Sequence, residues 1–194
     1  MSPWSPLERR WSISLTVGFA RLGPLTVEIR DALPEEFDEA GRVTAEAYRE
    51  LVRSGETAWE EYLTHIADVA ERATRTRILV AVEDNRILGS ATLELDGRVE
   101  PEGDPPLAPD EAHIRMLGVG AGARGRGVAT ALMAACERRA REAGRTRMTL
   151  HTTHRMTAAR AMYEALGYTR LPDRTFPDGF VLLSYAKDLD EPGA

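Results

Sequence analysis

The chain has 194 residues, a formal net charge of −6 and 43% hydrophobic residues, which indicates one soluble domain long enough to bury a core. The acidic balance argues against nucleic acid as a main partner. No apolar run approaches the ~20 residues that a membrane helix needs, so no membrane association is expected. The single cysteine, Cys136, cannot form a disulfide within the chain, which fits a reducing, cytoplasmic location.

Residues 1–24 are predicted to be an N-terminal extension, and residues 25–190 are predicted to form the domain. Arg9 and Arg10 precede an apolar patch, as they do in some export signals. Ser and Thr interrupt this short patch, and no convincing cleavage site follows it. We therefore expect an extension that packs as an extra strand or is partly disordered.

Hydrophobic periodicity and turn residues predict the elements of the domain in chain order. The first half should contain a strand, two helices and a pair of strands, over residues 25–30, 35–52, 59–72, 78–82 and 87–95. Asp84 and Asn85 suit a tight turn between the paired strands. After an acidic, proline-rich loop, the second half should contain a strand, a helix, a strand, a helix and a final hairpin, over residues 113–119, 128–143, 147–151, 156–166, 168–171 and 180–187.

Residues 117–130 read Leu-Gly-Val-Gly-Ala-Gly-Ala-Arg-Gly-Arg-Gly-Val-Ala-Thr, which indicates a strand, a glycine-rich turn and the start of a helix. Gly125 and Gly127 lack a Cβ atom, so a ligand can approach the backbone and φ can be positive. The N-terminus of a helix directs free N–H groups and a partial positive charge at an anion. Arg124 and Arg126 add positive charge there. The segment therefore predicts a phosphate-binding turn that suits a pyrophosphate.

Other phosphate-binding turns fit less well. A P-loop needs Gly-Lys followed by Ser or Thr, and this turn contains no Lys. Gly120, Gly122 and Gly125 do match the spacing of a dinucleotide-binding turn. That turn normally follows an early strand, however, and the strand predicted over residues 147–151 does not end in an acidic residue. A turn that only reverses the chain stays open as an alternative.

The turn resembles the coenzyme A pyrophosphate loop of the GNAT N-acetyltransferase family, Arg/Gln-x-x-Gly-x-Gly/Ala. Arg124 stands at its first position, Gly127 at its central glycine and Ala129 at its last position. Residues 156–168 resemble the second GNAT signature, and five positions match it: Ala159, Tyr163, Glu164, Gly167 and Tyr168. The two signatures occur in the family's order.

One position departs from the second signature. In the family it opens with an Asn that hydrogen-bonds the pantetheine arm, whereas this chain has Met156. The contact is therefore lost, or Thr152, Thr153 or Thr157 replaces it.

The resemblance implies an α+β fold, in which about four helices flank a mixed, mostly antiparallel twisted sheet of six to seven strands. It also implies acetyl-CoA as co-substrate. No metal is expected, because His151 and His154 lie on either side of a strand end and lack a third ligand. Gly118 and Gly120 are expected to ease a bulge at the end of the cofactor strand. The implied cofactor-binding residues are Leu117, Gly118, Val119, Arg124, Gly125, Arg126, Gly127, Val128, Ala129 and Thr130.

Two residues are candidates for catalysis. Tyr163 matches the family's general acid, because a phenol can protonate a leaving thiolate; the alternative is a tyrosine that only packs on the sheet. His113 occupies the place where many relatives carry a Glu that deprotonates the amine, and imidazole suits that task. Glu111 and Glu94 are alternative bases, and a purely structural histidine is a further alternative.

The expected function is transfer of an acetyl group from acetyl-CoA to a primary amine by direct attack in a ternary complex. Acidic residues in and after the loop before the cofactor strand favour a small, cationic amine, although a solvated acidic loop explains them equally well. A protein or peptide amine and a non-catalytic acyl-CoA sensor are the alternatives. The chain is expected to be a monomer or a homodimer.

Overall fold

The structure, a computed structural model, describes residues 27–53, 55–99, 105–177 and 179–189. The predicted extension over residues 1–24 lies outside the described residues, as do both predicted ends of the domain. The domain boundaries therefore stay a prediction.

Five helices and eight strands make up the described part of the chain. The helices are α1 (Phe37–Arg49), α2 (Thr57–Ala67), α3 (Val69–Ala73), α4 (Val128–Glu142) and α5 (Thr157–Ala165). The strands are β1 (Glu28–Asp31), β2 (Arg77–Glu83), β3 (Arg86–Glu94), β4 (Glu111–Val119), β5 (Arg147–Thr152), β6 (Thr169–Arg170), β7 (Arg174–Thr175) and β8 (Val181–Asp188).

The strands form a sheet in the order β1-β2-β3-β4-β5-β8-β6, and β7 pairs with β8 outside this path. β4 and β5 run parallel, whereas the other paired strands are antiparallel. The predicted α+β fold class is confirmed, including its mixed and mostly antiparallel sheet. The two-residue strand β7 is an addition, because the sequence predicts two strands for the final hairpin.

The turn between β2 and β3 has the predicted chemistry. Asp84 and Asn85 adopt φ angles of 49° and 58°, and two successive residues at positive φ are characteristic of a two-residue hairpin turn whose twist matches its strands. Asp and Asn tolerate this conformation better than most residues. The hairpin prediction is therefore confirmed at its turn.

The single helix predicted over residues 59–72 is wrong, because the chain breaks at Asp68. Asp68 has φ −78° and ψ 78°, outside the helical region, and its carboxylate accepts a hydrogen bond from the Glu71 amide at 3.0 Å. The buried guanidinium of Arg72 donates to the carbonyls of Asp68 and His65 and to the Thr92 hydroxyl. The cap and these bonds stabilise two short helices in place of one.

The sheet buries both of its faces, as the alternation along β2 shows. Leu79 and Ala81 belong to the cluster beneath α4, whereas Ile78 and Val80 pack with α1 and α3 in a second cluster. Side chains of successive strand residues point to opposite faces, so the helices lie on the two sides of the sheet. Cys136 is fully buried on α4.

Helix α1 lies very close to β4, because Gly118 has no side chain. A Cβ atom added there would stand 2.9 Å from both Cα and Cγ2 of Thr44. The contact is fixed from the other side by the Thr44 hydroxyl, which lies 2.5 Å from that of Ser90. Gly118 thus allows α1 to lie directly against the strand that carries the predicted cofactor-binding residues Leu117, Gly118 and Val119.

We therefore expect Gly118→Ala to destabilise the protein by about 1–3 kcal/mol, the usual range for overpacking a close contact. Urea unfolding measures the change. Gly122→Ala is the matched control, since a Cβ atom there meets nothing within 4 Å. Equal midpoints for the two variants would contradict this interpretation of the contact.

Candidate active site

The parallel strands β4 and β5 separate halfway along their length. They pair from Glu111, opposite Arg147, only as far as Ile114, opposite Leu150. Beyond that point β4 continues to Val119, paired with β3 alone, while β5 continues paired with β8. The sheet therefore opens between two adjacent strands, and the opening leaves backbone N–H and C=O groups of Leu117 to Val119 without β5 as a partner.

A bulge accompanies this separation, but it is not where the glycines predict it. Between Ser90, opposite Gly118, and Thr92, opposite Arg115, strand β4 has one residue more than β3. Met116 has φ 49° there, the left-handed conformation that β-strand residues rarely adopt. Its buried side chain packs with Ala45 and Leu63. The expectation that Gly118 and Gly120 ease the bulge is wrong, because packing of Met116 holds it.

The glycine-rich turn leads into an open helix N-terminus. Gly125 and Gly127 have φ angles of 73° and 82°, and a Cβ atom at Gly125 would meet nothing within 4 Å. No side chain caps α4, and its first internal hydrogen bond runs from the Ala131 amide to the Gly127 carbonyl at 2.9 Å. The amides of Val128, Ala129 and Thr130 therefore have no acceptor within the helix. This donor set fits the phosphates of a pyrophosphate group.

The two arginines of the turn each bind a carboxylate. Arg124 donates to both oxygens of Glu50, just after α1, at 2.6 and 3.0 Å. Arg126 donates to both oxygens of Glu83 at 2.7 and 2.8 Å. The hydrogen bonds from Arg124 hold the pKa of Glu50 below its usual value. An incoming phosphate must therefore compete with these carboxylates for the two guanidinium groups.

Tyr163 lies on α5 within a cluster of tyrosines. Its ring centre is 6.1 Å from that of Tyr168 and 6.0 Å from that of Tyr185. The hydroxyls of both neighbours donate to glutamates at 3.0 Å, whereas the described residues offer the Tyr163 hydroxyl no such partner. Burial raises the pKa of Tyr163. The phenol therefore keeps its hydrogen at neutral pH and can donate a hydrogen bond, while the same shift makes it a weaker acid.

The hydrophobic cluster around Tyr163 also connects it to the predicted cofactor-binding residues. It contains Val128 at the start of α4, and Leu117 and Val119 at the end of β4 pack against it. The structure thus brings the turn, the opened strand and the candidate acid to one side of the sheet.

His113 is buried on β4, and its tautomer follows from its hydrogen bond. Its Nδ1 lies 2.7 Å from the Thr149 hydroxyl, which in turn donates to the Glu111 carboxylate at 2.5 Å or to the Ala112 carbonyl at 3.3 Å. With its only hydrogen committed to one of these oxygens, the hydroxyl accepts from Nδ1–H. The lone pair is then on Nε2, where a base needs it.

The pKa of His113 lies well below its usual value, chiefly because burial disfavours the charged form; nearby His151 lowers it further. The imidazole is therefore neutral at physiological pH. The ring of His151 lies close, with its centre 4.9 Å from that of His113.

The two alternative bases occupy different environments. Glu94 is fully buried, accepts the Val99 amide at 2.6 Å and pairs with Arg98 at 2.9 Å. These contacts commit its carboxylate to holding the chain after β3. Glu111 lies behind His113, connected to it through Thr149. Of these three residues, His113 lines the cavity at the open end of β4 and β5, and neither carboxylate does.

A cavity of about 320 Å³ lies at the open end of β4 and β5. Its floor includes His113, Met116, His151 and Thr153. Helices α1 and α2 and the segment around β7 and β8 complete it with five aromatic residues: Tyr48, Trp59, Tyr62, Phe176 and Phe180. The volume is at the low end for small-molecule sites.

Met156, which replaces the expected Asn, also lines this cavity, and its sulfur accepts a hydrogen bond from the Thr152 hydroxyl at 3.2 Å. The neighbouring Thr153 hydroxyl is buried without a hydrogen-bond partner among the described residues. Of the three threonines considered as replacements, Thr152 and Thr153 line the cavity, and the Thr152 hydroxyl already donates to Met156. Within the cavity lining, Thr153 thus has the hydroxyl that is available to a ligand.

Sequence reasoning missed Thr149 and the aromatic lining. The five aromatic residues of the cavity come from three separate places in the chain: α1, α2 and the segment between β7 and β8. The close spacing of Trp59 and Tyr62, and of Phe176 and Phe180, is a local signal. Only the fold shows that both pairs face one cavity.

The acidic loop before β4 is described only in part. Its residues Glu100, Glu102 and Asp104 lie outside the described residues.

In the described residues, no helix is both long and apolar enough to cross a bilayer. Nor do these stretches of chain contain three or more His, Cys, Asp or Glu side chains grouped as metal ligands.

Solved structures share this fold. PaiA N-acetyltransferase from Thermoplasma acidophilum, in complex with coenzyme A, aligns with a TM-score of 0.64 and 15% identity over 84% of this chain and 98% of its own. YncA from Salmonella typhimurium, with its cofactor acetyl-CoA, aligns with a TM-score of 0.59 and 18% identity over 87% of this chain and 96% of its own. For the ribosomal-protein-S18-alanine N-acetyltransferase from Escherichia coli, the TM-score is 0.60 and the identity 16%, over 86% of this chain and 96% of the neighbour.

Comparison with curated proteins finds no match. The model of the acetyltransferase (GNAT) family, in contrast, matches residues 37–168. This range contains the glycine-rich turn, the second signature with Tyr163, and the opened strands. The chain therefore belongs to the GNAT acetyltransferase family.

Proposed function

We propose that the chain is an N-acetyltransferase that moves an acetyl group from acetyl-CoA to a primary amine by direct attack in a ternary complex. The observation that carries the proposal is the continuity of the site. An uncapped helix N-terminus follows the opened end of β4, and the cavity beside that opening contains a neutral His113. The free amides at the start of α4 suit a phosphate anion, and the neutral imidazole in the cavity suits an amine that must lose a proton.

The residues present fit acetyl-CoA. The amides of Val128, Ala129 and Thr130 would hold its pyrophosphate, and the backbone of Leu117, Gly118 and Val119 would hold the pantetheine arm. Gly125 and Gly127 keep the approach open, while Arg124 and Arg126 supply charge. The unpartnered hydroxyl of Thr153 supports a role in place of the Asn that Met156 replaces. When bound, acetyl-CoA supplies an activated acyl carbon and a thiol leaving group.

The transfer requires one bond to form and one to break. The amine nitrogen bonds to the acyl carbon, the carbon–sulfur bond breaks, the nitrogen loses a proton and the sulfur gains one. His113 accepts the proton at Nε2, while Nδ1–H stays bonded to Thr149. Tyr163 donates its hydroxyl hydrogen to the negative charge that develops on sulfur.

The cavity supports a small amine over a protein substrate, because about 320 Å³ accommodates one small molecule rather than a segment of chain. The Escherichia coli neighbour acts on an alanine of a ribosomal protein, as its name states, so a peptide amine is the comparison to include. A small amine and a peptide amine would use the same residues, His113 and Tyr163, for the transfer itself.

The test is an acetyl-transfer assay with a panel of small amines and N-terminal and lysine-containing peptides, read as free thiol. Acetyl-CoA binding is measured in parallel by calorimetry. We expect thiol release with small amines that exceeds that with peptides. Tight binding of acetyl-CoA without thiol release from any acceptor would identify a sensor and overturn the proposal.

The ion pair between Arg124 and Glu50 predicts an effect on cofactor affinity. Because Glu50 competes with phosphate for Arg124, we expect Glu50→Gln to tighten coenzyme A binding roughly two- to fivefold, the modest size of an exposed pair. Calorimetry at low salt measures the dissociation constant. Glu46→Gln, which removes an exposed pair with Arg42 on the same helix, is the control. Weaker or unchanged binding in Glu50→Gln would contradict the competition.

A further inference from the structure

The aromatic residues of the cavity form two groups. In the first, Tyr62 lies between Trp59 and Tyr48, with ring centres 5.9 and 6.4 Å away. In the second, Phe176 and Phe180 approach to 5.9 Å beside β7 and β8. The groups come from elements that are more than a hundred residues apart in sequence, yet both line the cavity that contains His113.

From this lining we infer that the acceptor is an aromatic primary amine, an aryl ring carried on a short alkylamine, whose ring occupies the aromatic cavity while its nitrogen reaches His113. The inference rests on the proposed N-acetyltransferase function. It narrows the acceptor from any small amine to one class.

Exposure of Phe180 supports a ring as the occupant. Its side chain is 40% exposed, which makes it one of the two large hydrophobic residues with this exposure in the described chain; the other is Leu33 at 47%. A ligand ring at the cavity would cover the exposed face of Phe180. Aromatic rings also interact favourably edge-to-face or offset-stacked, beyond the area they bury.

The charges of the lining do not suit a polyamine. No Asp or Glu occurs among the described residues that line the cavity, whose formal charges are those of Arg115 and Arg174. Arg115 approaches the buried Glu94 at 3.9 Å, and Arg174 lies 4.5 Å over the ring of Phe176. A second ammonium group would thus enter beside guanidinium groups without a carboxylate on the described wall.

The volume sets the size of the ring system. About 320 Å³ is near the lower limit for small-molecule sites, so a single ring with a two-carbon chain fits better than an extended polycyclic amine.

The experiment compares an aromatic amine with a saturated amine of similar size and with a linear diamine. We expect kcat/KM for 2-phenylethylamine to exceed that for its saturated counterpart, 2-cyclohexylethylamine, roughly three- to tenfold, the factor that aromatic pairing contributes. Against putrescine the expected ratio is larger, at least tenfold. Equal or reversed ratios, in an enzyme that does release thiol, would overturn this inference and leave the N-acetyltransferase proposal intact. Thiol release from none of the amines would overturn that proposal itself.

Two variants connect the preference to the lining. Phe180→Ser and Trp59→Leu should each raise KM for 2-phenylethylamine at least threefold, with little change for putrescine and with unchanged acetyl-CoA affinity. Leu33→Ser removes a hydrophobic side chain of similar exposure outside the cavity and should change none of these values. Because Phe180 is exposed, its replacement should leave the fold stable. A KM in Phe180→Ser that matches Leu33→Ser for every amine would contradict the inference.

Discussion

Replacement of Tyr163 by Phe should lower kcat by an order of magnitude or more while the affinity for acetyl-CoA stays close to that of the wild type. The substitution removes one hydroxyl and preserves the ring that packs between Tyr168 and Tyr185. Loss of one hydrogen-bond donor to a developing anion costs on the order of a hundredfold in enzymes where it has been removed. Steady-state kinetics and calorimetry on the same preparation separate the two quantities.

Tyr185→Phe is the matched control for this variant. Its ring belongs to the same cluster, but its hydroxyl donates to Glu164 at 3.0 Å. We therefore expect a change in stability with little change in kcat. A wild-type kcat in Tyr163→Phe would remove Tyr163 from the mechanism, and equal losses in both variants would assign the effect to packing.

Replacement of His113 by Ala should lower kcat about a hundredfold and remove the acid limb of its pH profile. General bases contribute about this factor or more. Since burial lowers the pKa of His113, the wild-type limb should lie below pH 6.5, the usual value of a histidine. The profile is measured at saturating amine, where kcat reports ionisations in the ternary complex. Retention of the wild-type limb by His113→Ala would exclude His113 as the base.

Stability must be followed in the same pH range. The unfolded chain binds a proton at His113 near pH 6.5, whereas the folded chain binds it only at lower pH. Stability therefore falls as the pH decreases below about 6.5. Thermal unfolding at each pH separates this loss from the loss of a base. Thr149→Val, which removes the acceptor of the Nδ1–H bond, should lower kcat less than His113→Ala does while it retains the acid limb.

The sequence predicted the elements that carry a strong local signal. Turn residues located the hairpin at Asp84 and Asn85, and the glycine pattern located the turn before α4. Both depend on backbone conformations that few residue types adopt. The break at Asp68 escaped because helical spacing continues through it, and only the buried hydrogen bonds of Arg72 stabilise the interruption.

The chemistry of the site was predictable in part, for a similar reason. The predicted cofactor loop is one continuous segment, so its motif is visible in a single stretch. The bulge at Met116 depends on packing against α1 and α2, and the contact of His113 with Thr149 joins two strands. The aromatic cavity joins residues from both ends of the domain. Such contacts between distant segments leave no periodic trace in the sequence.

A crystal structure of the protein with coenzyme A and an amine tests the central claim most directly. We expect the pyrophosphate oxygens of bound coenzyme A within hydrogen-bond distance of the amides of Val128, Ala129 and Thr130. We also expect the sulfur within about 3.5 Å of the Tyr163 hydroxyl and the amine nitrogen beside Nε2 of His113. A pyrophosphate bound elsewhere, or a sulfur on the far side of the sheet from Tyr163, would contradict this claim.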